Sequence, residues 1–378
     1  MDAGLPQRAG IQQRVLPAYR APFFDSLARA LPGNLSVFAG SPGPREAIPQ
    51  GDSLQTAKWV KAGNRYFGSG KLSAIWQSGW REWLAAEDPD LLVFEAHPRL
   101  LSNYAILRWM DDRGRPVIGW SLGPVRDGKD VLGWIRSFYR RYSALVVYSQ
   151  SASQAFQRLG LPAEKIFVAP NSVESVYADA LLRAPDARQK ARAELKLDDR
   201  PVVLSVGRLV PRKRVDALLR VCAQMADACQ LLIVGDGPDR GRLESIAAGT
   251  FPAARFTGDL RGEALGKCYL AGDFFVMPGT GGLALQEAMQ YGKPVAAAEA
   301  DGSQRDLIRE GVNGWLLPSG DETALLRVMR EALGDLRRLE RMGAASRTIV
   351  RETATMEKMV AGFLRAMRYA MANRERAS

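Results

Sequence analysis

The sequence predicts an α/β protein made of two doubly wound, parallel-sheet lobes, and three observations carry that prediction. Apolar runs of strand length alternate with stretches of helical spacing, the rhythm of strands joined by crossover helices. Those runs end in Gly, Pro or polar residues, which suit the strand-end loops where such sheets bind ligands. A length of 378 residues favours two domains of ordinary size over one.

Residues 11–16 are the first strand candidate, ending at Pro17-Ala18-Tyr19-Arg20-Ala21-Pro22. Residues 23–31 then show helical spacing, and 35–39 read as a strand again. Apolar runs at 91–94, 117–120 and 145–148 continue the first lobe. In the second half, residues 202–206, 231–234, 255–257, 274–277 and 295–298 are strand candidates separated by helical stretches. Between the halves, residues 171–200 are polar and Ala-rich with Pro185, the character of a linker plus a helix. The lobes are accordingly expected over residues 1–175 and 176–350. Met359, Phe363, Met367 and Met371 recur every fourth residue, predicting a long amphipathic helix in the tail. Residues 351–378 are a candidate to pack back on the first lobe.

A hydrophobic fraction of 47% with 25% charged residues is that of a folded protein, neither disordered nor embedded in a membrane. No apolar run approaches the ~20 residues that span a bilayer. Met1-Asp2-Ala3-Gly4 lacks the basic flank and apolar core of a signal peptide, so a cytosolic location is expected. Cys222, Cys229 and Cys268 show no CxxC spacing, and His97 is the single histidine. Zinc and disulfide frameworks are therefore poorly supported, and the cysteines read as small core residues. The balance of 52 Lys+Arg against 41 Asp+Glu, a net charge of +11, suits an anionic partner: a phosphorylated ligand, an acidic membrane face or nucleic acid. No nucleic-acid-binding module is recognisable.

Chemistry concentrates in the second half. Val203-Leu204-Ser205-Val206-Gly207-Arg208-Leu209-Val210-Pro211-Arg212-Lys213-Arg214 runs from a strand through a glycine turn into a cationic loop. A diphosphate needs such an arrangement: Gly207 lets the ligand approach the backbone, while Arg208 and Lys213 supply fixed positive charge. The alternative is a solvated basic turn. In Phe275-Val276-Met277-Pro278-Gly279-Thr280-Gly281-Gly282-Leu283-Ala284-Leu285-Gln286-Glu287, a strand ends at a glycine-rich turn where a helix begins. Free N–H groups near Gly282, Leu283 and Ala284 can hold a phosphate at the positive helix end. Glu287, one turn inside, can accept hydrogen bonds from two ribose hydroxyls; the alternative is a surface glutamate.

Together these stretches resemble the donor half of glycosyltransferase family 4, retaining enzymes with the two-Rossmann-lobe GT-B architecture, in which the lobes face a cleft. The likeness runs from about Ser143 to Pro318. It includes Glu164-Lys165-Ile166, Gly207-Arg208-Leu209 with Lys213, Val234-Gly235-Asp236-Gly237-Pro238, Phe256-Thr257-Gly258, Glu287-Ala288-Met289 and Asn313-Gly314-Trp315-Leu316. The resemblance implies that Arg208 and Lys213 grip the diphosphate, Glu287 the ribose, and the backbone around Leu260 the base. No cofactor and no metal are expected. The family usually pairs two glutamates with seven residues between them, and the first position is Gly279 here, so contact to the transferred sugar must come from elsewhere.

The first half matches that family less well. In place of a Gly-Gly loop it has Pro17-Ala18-Tyr19-Arg20-Ala21-Pro22-Phe23-Phe24, similar to a subgroup associated with bacterial cell-surface polysaccharide assembly. Arg20 is a candidate contact to donor or acceptor phosphate; the alternative is an exposed arginine. The family tends to place a histidine near the end of the strand that starts Pro89-Asp90-Leu91-Leu92, where this chain has Glu95, with His97 two residues later. Either can assist acceptor deprotonation or shield developing oxocarbenium charge, and alternation puts both on one side if the strand continues that far. The alternative for His97, before Pro98, is a loop residue with a satisfied hydrogen bond.

Two motifs are decoys. Gly68-Ser69-Gly70-Lys71 lacks the first glycine and the Ser/Thr of a P-loop, having Arg65 and Leu72 there, and Gly235-Asp236-Gly237 has Arg240 where a dinucleotide fingerprint needs its third glycine. Residues 131–142 mix aromatic and basic side chains at helical spacing. They fit a domain helix with solvated arginines, or a surface resting on an anionic membrane to meet a lipid-linked acceptor.

The sequence thus predicts transfer of a sugar from a nucleotide-diphosphate donor to a glycan or lipid-linked acceptor in the cytoplasm, with the inner face of the cytoplasmic membrane as the alternative place. Two competitors are a nucleotide-sugar epimerase of the same architecture, disfavoured by the single histidine, and a silent nucleotide-sugar-binding protein, motivated by Gly279.

Overall fold

The computed structural model describes residues 4–43, 50–68, 73–124, 132–173 and 175–374. The chain forms two compact units, Met1–Asn171 with Met356–Ser378, and Ser172–Thr355.

In the first unit, the strands are β1 (Arg8–Val15), β2 (Asn34–Gly40), β3 (Lys58–Lys61), β4 (Gly63–Phe67), β5 (Ala74–Ser78), β6 (Leu91–Glu95), β7 (Val117–Ser121), β8 (Ala144–Val147) and β9 (Ile166–Val168). Seven form a parallel sheet in the order β3-β2-β1-β6-β7-β8-β9, and β4 with β5 makes an antiparallel hairpin. The second unit holds β10 (Val202–Val206), β11 (Gln230–Val234), β12 (Arg255–Phe256), β13 (Phe274–Met277), β14 (Val295–Ala298) and β15 (Gly314–Leu317). They too form a parallel sheet, ordered β12-β11-β10-β13-β14-β15.

Strands such as Val202–Val206 and Phe274–Met277 are continuous apolar runs because both faces of a parallel sheet are covered. One core of the second unit packs Val203, Ile233 and Val276 under Leu218, Leu243 and Met329, and another packs Leu204, Leu232 and Phe275 under Leu285 and Met289. The first sheet is covered in the same way. Ile11, Val37 and Val93 lie on one side with Phe23 and Phe363, and Leu92 and Phe94 on the other with Trp83 and Met110.

Both sheets share one chain path. It starts at a central strand (β1 or β10), runs to one edge, and returns across the centre to β6 or β13 before moving to the other edge. The loops leaving β10 and β13 therefore diverge, as do those leaving β1 and β6, and a parallel sheet binds ligands at such a reversal of strand order.

Several elements differ from expectation. β1 starts at Arg8, three residues before the apolar run that predicted it, and β3, the β4–β5 hairpin and β15 were not expected as strands. The polar stretch 171–200 holds two helices, Ala178–Arg183 and Ala187–Glu194. The tail forms the helix Met356–Ala372, which buries Met359, Phe363 and Met367 fully against the helix Ala21–Ala30 and strands β7, β8 and β9. The Phe363 ring lies 4.8 Å from those of Phe23 and Trp120.

Candidate active site

In the second unit, the loops after the adjacent strands β10 and β13 are bonded to each other, the N–H of Thr280 donating to the carbonyl of Arg212 at 2.9 Å. Gly207 turns the chain at φ 144°, and a Cβ there would lie 3.7 Å from the Lys213 Nζ, so the ammonium sits beside the bare glycine backbone. Burial draws the Lys213 pKa down to about 8; Arg212 adds to that effect and Asp301 opposes it. Arg208 is half-buried on the same loop. Gly235 and Gly237, the decoy fingerprint, support this loop from behind: a Cβ on either would come within 2.2 Å of the carbonyl oxygens of Gly207 and Leu209.

Gly279 is explained by the same contact. A Cβ at this position would fall 2.2 Å from the Arg212 oxygen and 2.5 Å from the Lys213 carbonyl carbon, both backbone atoms. Packing of the two loops thus leaves no room for the glutamate that the family pattern places here. The nearby carboxylate is instead Asp301, on the loop after β14. It accepts from the Ser303 hydroxyl at 2.6 Å and from the Gln304 amide at 3.1 Å, and that amide also donates to the Gly281 carbonyl at 3.3 Å. Asp301 was not singled out from sequence, although its place just past a strand end was the available signal.

The helix Leu283–Gln290 starts at Gly282 with no side chain capping it, leaving the first-turn N–H groups of Leu283 and Ala284 without a capping partner. Glu287 is not a surface residue. It is largely buried, hydrogen-bonded to the Tyr269 hydroxyl, which also lies 3.3 Å from the Ala284 carbonyl. Burial pushes its carboxyl up to about 7, only partly offset by Tyr269. Leu260, expected near the base, is half-buried against the core between β12 and the helix Gly262–Ala271. Among the described residues, no group of three or more His, Cys, Asp or Glu could hold a metal ion.

In the first unit, Glu95 ends β6 and accepts from the Arg14 N–H near the end of β1 at 3.2 Å, at that sheet's own strand-order reversal. The strand stops there. The His97 N–H turns back to the Glu95 carbonyl at 2.8 Å, so alternation does not carry through to His97. Its Nδ1 accepts from the Arg99 N–H at 3.2 Å, and burial lowers its pKa while Glu95 opposes the shift.

Arg20 is not an exposed arginine: it is 6% exposed. Its guanidinium lies 5.1 Å from the centroid of the Trp120 ring and donates to the Tyr148 hydroxyl at 2.6 Å. Sequence reasoning also missed the amides that the β4–β5 hairpin brings to β1. Asn64 donates to the Arg14 carbonyl at 2.7 Å, and Gln77 to the Asn64 oxygen at 2.9 Å. In the helix Leu132–Arg140, Ile135, Phe138 and Tyr139 enter the core, whereas Trp134 is 51% exposed. Val131, and residues 69–71 of the P-loop decoy, lie outside the described residues.

The family model described as Glycosyl transferases group 1 matches residues 187–349, and that described as Glycosyltransferase Family 4 matches residues 23–175. A GDP-mannose-dependent alpha-(1-6)-phosphatidylinositol monomannoside mannosyltransferase of Mycobacterium tuberculosis is 30% identical over 311 residues, 75% of each chain. The chain belongs to glycosyltransferase family 4.

Other relatives match over shorter stretches. A GDP-mannose-dependent alpha-mannosyltransferase of Mycolicibacterium smegmatis is 42% identical over 159 residues, 41% of this chain and 40% of its own length. Its counterpart in Mycobacterium tuberculosis is 34% identical over 248 residues, 62% and 61% of the two chains, so the match spans less than two thirds of either relative. Among solved structures, Anabaena HepE in complex with UDP and glucose aligns with a TM-score of 0.71 at 20% identity, covering 94% of this chain and 98% of its own. Sucrose-phosphate synthase of Thermosynechococcus elongatus aligns at 0.73 and 21%, covering 94% and 97%. These structures share the GT-B fold of this family 4 chain.

Proposed function

We propose that this family 4 chain is a retaining glycosyltransferase that moves a sugar from a nucleotide-diphosphate donor to an acceptor glycan or glycolipid of the bacterial cell surface. One observation carries the reading. At the strand-order reversal of the second unit, the loop that sets the Lys213 ammonium beside Gly207 is hydrogen-bonded to the loop that leads into the uncapped helix start and the buried Glu287.

When the bond from the sugar to the diphosphate breaks, negative charge grows on the leaving oxygen. Lys213, Arg208 and the N–H groups of Leu283 and Ala284 are fixed donors for that charge, and fixed donors stabilise it without reorganising during reaction. Glu287 accepts from the ribose hydroxyls and Leu260 flanks the base. Glu95, at the strand end of the first unit, is the carboxylate that unit offers as a proton acceptor. GDP-mannose is the first donor to try, because several relatives are named for it. Exposed Trp134 among the solvated Arg136 and Arg140 supports contact with an anionic membrane face, where lipid-linked acceptors reside.

The test is release of nucleoside diphosphate from a panel of GDP- and UDP-sugars with prenyl-phosphate-linked acceptors. Wild type should turn over one pair, with retention at the anomeric carbon, and Lys213→Ala should lower kcat/KM about 100-fold or more. Donor binding without transfer to any acceptor would assign a silent nucleotide-sugar-binding protein. Absence of both binding and turnover would overturn the reading altogether.

A further inference from the structure

One cavity of the second unit lies away from the proposed donor site. It measures about 1240 Å³ and lies at the opposite ends of the strands. Pro201, Asp273 and Pro294, which line it, directly precede β10, β13 and β14, whereas Gly207 and Gly279 follow β10 and β13. Strands of four or five residues put roughly 13–17 Å of sheet between the two places.

Six cations line this cavity: Arg188, Arg192, Lys293, Arg337, Arg347 and Arg351, against four carboxylates. Those carboxylates are shared rather than matched. Asp273 alone serves both Arg188 and Arg192, at 3.1 Å from the latter. Just outside the lining, Asp179 serves both Arg347 at 2.6 Å and Arg351 at 2.5 Å. Arg337 forms no ion pair among the described residues, and the buried Nε of Arg347 has no hydrogen-bond partner.

Lys293 is the decisive group. It is 8% exposed, forms no ion pair among the described residues, and its Nζ has a single acceptor, the Leu270 carbonyl at 3.2 Å. An ammonium carries three donors, and a buried one lacking a counter-charge is costly unless something compensates it. Methionine would fill the same space without that cost. Burial draws the Lys293 pKa down to about 7, with Arg188 and Arg192 adding to the effect and Asp273 opposing it. An uncompensated cation in a concave wall of further cations concentrates positive potential on the cavity.

We propose that this cavity is a second anion site, in which Lys293, Arg188 and Arg337 bind a phosphate group. The excess of cations over carboxylates among the lining residues favours an anion such as a phosphate group. The site is independent of the donor site, because its residues come from the helices Ala187–Glu194 and Leu336–Thr353 and from the turn before β14. The phosphate has two sources, a free phosphorylated metabolite or a lipid headgroup.

Calorimetric titration of the full chain with inorganic pyrophosphate, at constant ionic strength, separates the two sites. Wild type should show two binding events; Lys213→Ala should lose one and keep the other. Lys293→Met should lose the event that Lys213→Ala keeps, and the exposed Arg337→Glu should weaken that event about tenfold or more. Thermal melts establish that the variants are folded. Co-sedimentation with phosphatidylglycerol vesicles, lost in Arg337→Glu, would assign the phosphate to a headgroup; pyrophosphate binding without co-sedimentation would assign it to a metabolite. Pyrophosphate binding that is identical in wild type and Lys293→Met would overturn the second site, whatever Lys213→Ala shows about the first.

Discussion

Glu287 ties the proposed donor site to the stability of the fold. Its carboxyl is raised from about 4.5 to about 7 by burial, so folding favours the protonated form. The stability this contributes is fully present below about 4.5 and is lost as pH rises through 7, by at most about 3 kcal/mol. Glu287→Gln should therefore be relatively more stable than wild type at pH 8 than at pH 5, by about 1–3 kcal/mol in urea melts. An equal difference at the two values would show that the carboxyl is not held protonated. The motif around Glu287 was legible as chemistry, but its burial was not, because the hydroxyl beside it comes from Tyr269 on another helix. Arg20 is a stronger case of the same kind. Pro17-Ala18-Tyr19-Arg20 reads locally as an open loop, and the groups that enclose the guanidinium, Trp120, Tyr148 and Met359, lie up to 339 residues away in sequence.

At the scale of elements, the two loops of the proposed donor site act as one. Gly279 lies against the carbonyls of Arg212 and Lys213 and leaves no space for a methyl group. Gly279→Ala should push the Lys213 loop away, costing about 1–3 kcal/mol of stability. Nucleotide-diphosphate affinity should fall with it, read by the same calorimetry; unchanged affinity would mean that Lys213 does not grip the diphosphate. The departure from the glutamate pair was visible in the sequence as a missing residue, whereas its cause is contact between segments more than sixty residues apart. Strands showed a parallel contrast. Val202–Val206, Phe274–Met277 and Val295–Ala298 were legible because central parallel strands are apolar on both faces. The hairpin of Gly63–Phe67 and Ala74–Ser78 was not, since much of it is exposed and its Asn64, Arg65 and Gln77 break any apolar run.

For the molecule as a whole, division into two sheet-based units followed from length and repeated rhythm, and the placing of the tail depends on one amphipathic helix. Phe363 is fully buried between Phe23 and Trp120. Phe363→Ala should cost about 3–5 kcal/mol, seen as a lower thermal midpoint for the first unit while nucleotide binding by the second persists at temperatures above it. Loss of nucleotide binding at the same temperature would show that the units do not unfold separately. No described helix is long and apolar enough to cross a membrane.

The helix Met356–Ala372 also fixes an order of events during synthesis. The core that encloses Phe23 and Trp120 is completed by residues that leave the ribosome only after all of Ser172–Thr355 has been made. At ordinary translation rates the first unit waits about 10–40 s with one side of its sheet only partly covered. During that interval the apolar faces of Phe23, Trp120 and Ala169 are open to chaperones, while the second unit can fold from a continuous stretch of chain.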